Sequence, residues 1–173
     1  MKSLFLIATL LLALQAFCQG QFQNETAGSI SYTSGHVMQL AKEIPADKYS
    51  WSPGTGVRSV AQVFAHIISA NYFFASKLGA KMPSDLKMET LETDLKSKDA
   101  ITAELKRSYD LALNAIKNTP DASLTQKVEF PFPGEFTNMS VVLIILAHSN
   151  EHLGQLIGYA RMNNITPPWS EGN

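Results

Sequence analysis

The sequence predicts an all-α protein, a four-helix bundle with long crossover connections. Four segments carry hydrophobic residues at helical spacing, and no segment keeps the alternation of a half-buried strand over any length. Connectors that contain proline and glycine separate the segments. The second and third connectors are long enough for the chain to reverse across the bundle rather than only in tight hairpins.

Composition predicts one globular domain with a sizeable core. The chain has 173 residues, of which 45% are hydrophobic, and its formal net charge is -1. It has no basic surplus and no block of Lys and Arg, which argues against a surface that binds nucleic acid.

The first twenty residues have the features of a cleaved export signal. Lys2 gives a positive start, residues 4–14 are almost continuously apolar, and small residues follow at Ala16 and Gly20. The apolar run is too short to span a bilayer comfortably, so no stable membrane anchor is expected. The alternative is a first helix that is buried or retained in the membrane. We divide the chain into a signal peptide, 1–20, and one domain, 21–173, and expect an exported protein, periplasmic or secreted.

The single cysteine, Cys18, bears on how the signal is processed. A cysteine near the end of an export signal can mark a lipoprotein, but the bulky Phe17 before it disfavours lipid anchoring. A cut after Cys18 would leave the mature protein without a thiol, and hence without a disulfide or a thiolate ligand. Any metal would then be held by nitrogen and oxygen donors.

The first two predicted helices lie on either side of a connector. Residues 21–27 are polar and predicted to be loose, and residues 30–44 form the first helix, which a proline ends. The second helix starts at Ser59, which forms a capping-box pair with Gln62, and ends at Gly79. It is apolar on nearly every side, which predicts a place in the core or at a partner interface.

The last two predicted helices are separated by a proline-containing stretch. Residues 98–118 combine one apolar face with a solvated one. Residues 128–132, VEFPF, alternate like a strand, but their prolines favour an extended loop. Thr137 or Asn138 caps the fourth helix, which runs to residues 162–163.

The fourth helix carries a stripe of polar side chains through an otherwise apolar segment. His148 and His152 are one turn apart, so their rings project roughly 6 Å apart along the axis, within reach of one metal ion. Gln155 and Tyr159 continue the stripe. Such groups are costly in a core unless each finds a partner. A metal would satisfy both imidazoles, and the amide or hydroxyl could orient a bound water or substrate.

A third histidine, His66, lies in the middle of the second helix among apolar residues, where the neighbouring helices are expected to desolvate it. Three histidines from two helices match the design of reactive metal sites, with three ligands and one open position. We predict a divalent metal at His66, His148 and His152. Zinc is the first choice for neutral imidazoles, while nickel, iron and copper fit the same donors. The alternative is that the H-x-x-x-H pair occupies ordinary surface positions. His36 could be a fourth donor or contact substrate, but an exposed or capping role is favoured.

Residues 148–152 also match H-x-x-E-H, a zinc-peptidase signature. Those enzymes need a further acidic ligand well downstream, and only Glu171, in the terminal tail, follows His152. Glu151 lies about 100° around the helix from His152, so it should not bind the same ion. It remains a candidate catalytic base or outer partner of the site, with a solvated surface glutamate as the alternative.

Two stretches resemble the DinB-like (DinB/YfiT) superfamily: YSWSPGTGVRSVAQVFAH at 49–66 and AHSNEHLGQLIGYARMNNITPP at 147–168. The resemblance covers nearly the whole mature chain. It implies a four-helix bundle with a long crossover, often a homodimer, that binds a divalent metal through three histidines. By position these are His66, His148 and His152. Relatives of known activity include thiol-dependent transferases and isomerases, and many others are known only as damage- or stress-associated proteins. Thiol transfer suits an exported chain poorly, because small thiols are chiefly cytosolic.

Two functions from different classes follow. The first is a metal-dependent enzyme, with hydrolysis the reaction best suited to a thiol-poor compartment. The second is a non-catalytic bundle that binds a metal or small ligand and whose histidines brace the fold. The absence of an unambiguous general base supports the second, and we expect binding with catalysis as an addition.

Overall fold

The computed structural model describes residues 20–170, and these form a four-helix bundle. The predicted all-α class is confirmed, whereas nearly all of the predicted signal peptide lies outside the described residues. None of the helices in this range is long and apolar enough to cross a membrane. In chain order the helices are α1 (Gln21–Glu43), α2 (Val60–Lys77), the single turn α3 (Leu91–Asp94), α4 (Lys98–Lys117) and α5 (Asn138–Met162).

Each long helix packs against two others. α2 lies between α4 and α5, and α1 lies between the same two helices on the opposite side. Helices α1 and α2, although consecutive, therefore face each other diagonally, as do α4 and α5. The third connection crosses the bundle as predicted. The first connection, between α1 and α2, crosses it too. The second connection joins the neighbouring helices α2 and α4, and it is long enough to include α3, which packs on α2.

Helix α1 begins earlier than the sequence predicts. Residues 21–27 are helical rather than loose, and Gln23 is almost fully buried. The Gln23 side chain donates to the carbonyl of Thr119 at 2.8 Å and to a carboxylate oxygen of Asp121 at 2.8 Å. The polar first turns of α1 are thus held by the connection between α4 and α5, a partner about a hundred residues away that no local pattern reveals.

The two helices that carry the histidines begin at capping boxes. Gln62 donates its backbone N–H to Ser59 Oγ at 3.3 Å, and Ser59 N–H donates to Gln62 Oε1 at 2.8 Å, as predicted. Thr137 caps α5 in the same way, with Ser140 as its partner. Each box satisfies N–H groups that the first helical turn leaves free.

The same two helices end in left-handed residues. Gly79 has φ +83°, and the N–H of Ala80 reaches back to the carbonyl of Ala75 at 3.0 Å. At the end of α5, Asn164 has φ +60°. The following N–H bonds back to Ala160 at 2.9 Å. Both ends are Schellman motifs, which favour Gly and Asn because these tolerate a positive φ.

The apolar surface of α2 is buried within the chain itself. Its position between α4 and α5 surrounds it with core side chains, so its breadth is explained without a partner protein. The buried residues of α2 are Val60, Ala61, Val63, Phe64, Ala65, Ile67, Ile68, Asn71, Tyr72, Phe74 and Ala75.

The stretch predicted as an extended loop is a small hairpin. Strand β1 (Lys127–Val128) pairs antiparallel with β2 (Phe136–Thr137), and both prolines lie in the loop between them. Gly134 has φ +142°, and a Cβ atom there would lie 2.6 Å from the Phe136 ring. Residues 129–132 therefore form the loop that the prolines favour, and of the alternating stretch only Val128 joins a strand.

Two Gly→Ala substitutions should have opposite effects on stability. Gly79→Ala should lower the free energy of unfolding by about 1 kcal/mol, because alanine at φ +83° is strained. Gly28→Ala, on the exposed face of α1 where the new methyl meets no atom within 4 Å, should raise it by about 0.5 kcal/mol. Urea unfolding monitored by circular dichroism measures both. Equal signs would contradict the assigned end of α2.

Candidate metal centre

The structure brings together the three histidines that the sequence singles out. His148 and His152 project from α5, and His66 faces them from α2. Nε2 of His148 lies 3.2 Å from Nε2 of His66 and 3.1 Å from Nε2 of His152. The ligand atoms of all three lie within 4.8 Å of one another, so the group could hold one metal ion.

The three rings differ in burial. His152 is 7% exposed and belongs to the buried face of α5, while His148 lies at the edge of that face. The side chain of His66 remains 25% exposed. The neighbouring helices therefore desolvate His66 only in part, and some of its cover comes from a charged residue on α3.

That residue is Glu92. Its Oε1 lies 2.9 Å from Nδ1 of His66, and the buried Leu91 anchors α3 beside α2. A carboxylate oxygen can only accept, so Nδ1 of His66 carries a proton, and in the neutral ring that binds metals Nε2 presents a lone pair to the cluster. Sequence reasoning missed Glu92, because a glutamate in a charged connection has the same local sequence pattern as a solvated surface residue.

A relay of hydrogen bonds fixes His152 in the same way. The carbonyl of Arg58 can only accept, so the hydroxyl of Tyr159 donates to it, at 3.1 Å. Tyr159 Oη then accepts from Nε2 of Gln155 at 2.9 Å. This leaves Oε1 of Gln155 facing Nδ1 of His152 at 2.8 Å, so that Nδ1 must donate. His152 therefore also turns an Nε2 lone pair toward the cluster, and Gln155 and Tyr159 form the relay behind its ring.

His148 completes the cluster without an oxygen partner of its own. Within residues 20–170 its Nδ1 makes no hydrogen bond, and its ring packs near Phe74, with centroids 6.0 Å apart. Its Nε2 faces the lone pairs of both His66 and His152. If this Nε2 carries a proton, that proton can form a well-aligned hydrogen bond with only one of the two. Without a cation, at least one of the Nε2 lone pairs thus finds no donor among the three rings.

The protein environment favours the neutral form of His148 and His152. Burial, followed by the neighbouring His152, His66 and Arg58, lowers the pKa of His148 to about 3. Burial also lowers the pKa of His152, although its hydrogen bond to Gln155 acts in the opposite direction. Neutral imidazole is the form that binds metals.

The donor set fits a metal ion that prefers nitrogen. Zinc bound to histidine at about 2.0–2.1 Å in a tetrahedron places its nitrogen ligands roughly 3.3–3.4 Å apart, close to the separations of 3.1 and 3.2 Å observed here. Metal-binding histidines also usually donate their other N–H to a carboxylate or carbonyl oxygen. Glu92 and Gln155 supply those acceptors.

Two other candidate residues lie apart from the cluster. Glu151 is exposed and, in the described part of the chain, makes no hydrogen bond with the three histidines, so its role as a base stays a prediction. His36 packs between the rings of Tyr32 and Trp169, with centroid distances of 4.5 and 4.1 Å. It is not in the three-histidine group. Glu171 lies outside the described residues.

The family assignment agrees with this geometry. The model of the DinB superfamily matches residues 33–156, which is more than half of the chain. The chain belongs to the DinB superfamily. In sequence it is similar to the uncharacterized protein YjoA of Bacillus subtilis strain 168, with 25% identity over 127 residues, 71% of this chain and 79% of that protein.

Solved structures share the fold of this DinB-superfamily chain. A DinB-like protein from Bacillus cereus has a TM-score of 0.70 at 20% identity, covering 83% of this chain and 93% of that one. The DinB-like YjoA of Bacillus subtilis has a TM-score of 0.64 at 16% identity, covering 82% and 93%. A conserved protein from Enterococcus faecalis has a TM-score of 0.64 at 11% identity, covering 80% and 95%.

Removing the carboxylate behind His66 should weaken metal binding. Glu92→Ala is expected to lower the affinity for a divalent ion by about 10- to 100-fold, because the His66 ring loses its orientation and its proton acceptor. Glu92→Gln should cost less, since an amide oxygen still accepts. Competition with a chromogenic chelator measures both affinities. Glu89→Ala, in the same connection and exposed, is the control, and an equal loss there would contradict the assignment.

Proposed function

We propose that this DinB-superfamily protein binds one divalent metal ion through His66, His148 and His152 and hydrolyses a small-molecule substrate there. The observation that carries the proposal is the convergence of three Nε2 atoms, two of which must present lone pairs. Zinc is the metal of choice for neutral imidazoles, with nickel and iron as the next candidates.

When bound, such an ion supplies Lewis-acid chemistry: it polarises a substrate oxygen or lowers the pKa of a water toward neutrality. The protein supplies orientation through the acceptors behind His66 and His152. It also supplies a proton acceptor. Among residues 20–170, Oε2 of Glu92 makes only a 3.9 Å contact with Arg58 and has lone pairs free, whereas the other candidate base, Glu151, is exposed.

A non-catalytic role is the second candidate. An ion held between His66 on α2 and the two histidines of α5 would cross-link two helices that belong to one face of the bundle. The deep burial of His152 favours this role, because a metal would satisfy a buried imidazole nitrogen that otherwise shares the single Nε2 of His148 with His66. In that case the ion stabilises the fold and no turnover occurs.

We further propose that the protein is exported. The support is the charged start, the apolar run and the small residues within positions 1–20. An exported location favours hydrolysis over thiol transfer, since small thiol cosubstrates are chiefly cytosolic. A homodimer remains a prediction that rests on the family resemblance alone, because the apolar surface of α2 is buried against other helices of the same chain.

The purified protein should hold about one divalent ion per chain. His152→Ala should lose it, because two imidazoles alone do not make a tight site. His36→Ala is the matched control and should retain it, since its ring lies between Tyr32 and Trp169. Elemental analysis of untagged protein from the native host measures the content, and the mass of that protein locates signal cleavage. Full retention of metal in His152→Ala would contradict the site.

A substrate panel separates the two candidate functions. With metal restored, esters, amides and phosphoesters should include at least one that is hydrolysed in a metal-dependent manner, and His148→Ala should abolish that turnover. In the non-catalytic role no substrate of the panel is hydrolysed, while bound metal still raises the midpoint temperature of unfolding by mass action. No hydrolysis of any substrate, together with an unfolding temperature that clearly rises with metal, would therefore favour the structural role.

A further inference from the structure

Arg58 is attached to the outer partners of two different histidines. Its backbone carbonyl accepts from Tyr159, the end of the relay behind His152. Its Nη2 lies 3.9 Å from Oε2 of Glu92, whose other oxygen holds His66. The residue immediately precedes the capping box of α2, which fixes its backbone. Arg58 thus links the outer supports of His66 and His152 at the rim of the cluster.

The guanidinium of Arg58 is hardly used by the fold. A distance of 3.9 Å is too long for a hydrogen bond, and the two side chains are 49% and 37% exposed, so this ion pair contributes little to stability. In the described range it is the only polar contact of that guanidinium. Its five N–H donors, arranged as a planar fork, are therefore available to a ligand.

The charges around the cluster determine whether that ligand is an anion or a cation. The positive charge of Arg58 offsets the negative charge of Glu92. These two residues would therefore leave the charge of a divalent ion at the histidines unreduced for an incoming molecule. The exposed Glu151 offsets only part of the charge of such an ion, so with the ion bound an anion would be attracted here and a cation repelled.

We infer that Arg58 is a substrate-binding residue that takes the anionic group of the substrate, a carboxylate or a phosphate, beside the metal site. A guanidinium pairs with two oxygens of such a group at once, which orients the molecule as well as holding it. This inference rests on the proposed metal site and narrows its substrate to small oxyanionic molecules. The competing interpretation is that Arg58 acts only through Glu92, as a positioning residue for His66.

The test is calorimetric binding of inorganic phosphate and, separately, of acetate to the zinc-loaded protein. Arg58→Gln should weaken binding of the oxyanion by about tenfold or more while the zinc content stays unchanged. Arg58→Lys should fall between, because lysine keeps the charge but loses the fork. Arg161→Gln is the matched control: it removes an exposed arginine nine residues beyond His152, about 13 Å along α5, and should bind like the unmodified protein.

The outcomes distinguish this inference from the proposed function. If the unmodified protein holds zinc but Arg58→Gln binds phosphate and acetate equally well, the inference is wrong and the metal site stands. Loss of zinc from Arg58→Gln would assign Arg58 a positioning role and also overturn the inference. An unmodified protein that holds no zinc contradicts the metal site, and the inference falls with it.

Discussion

The direction of a few hydrogen bonds decides what the centre of this protein can bind. A backbone carbonyl cannot donate, and that single fact orients the Tyr159 hydroxyl, the Gln155 amide and finally the His152 ring. A carboxylate does the same for His66. Both rings therefore turn lone pairs inward, toward His148. A cluster of neutral nitrogen lone pairs in a half-buried place is unfavourable by itself, and a cation is the group that satisfies it.

The bundle topology is what allows this arrangement. Because α2 lies between α4 and α5, the middle of α2 faces the histidine turn of α5 directly. The long connection after α2 then folds the single turn α3 back onto it, which delivers Glu92 to a histidine 26 residues earlier. A tight hairpin between α2 and α4 would leave no chain to supply that carboxylate. This connection is thus part of the site and not only a linker.

The surroundings of the cluster are asymmetric. Oxygen acceptors stand behind His66 and His152, and Arg58 connects them, so that side is polar and charged. Behind His148 the neighbour is Phe74, which adjoins the ring of Phe130 in the hairpin, with centroids 6.1 Å apart. A small molecule at the centre would meet a cationic rim on one side and aromatic rings on the other, which suits an anionic group joined to an apolar part.

The sequence by itself determined the four long helices, the caps at Ser59 and Thr137, and the choice of His66, His148 and His152. These features are local or compositional: helical periodicity, a capping box and an imidazole in an apolar segment are all visible within about one or two turns of chain. Only the tertiary structure decided that Glu92 contacts His66, that Arg58 lies beside Glu92 at the rim of the cluster, and that α1 begins at Gln21. Each of those depends on a partner far away in the chain, and a charged or polar residue that will find such a partner has the same local pattern as one that will remain in water.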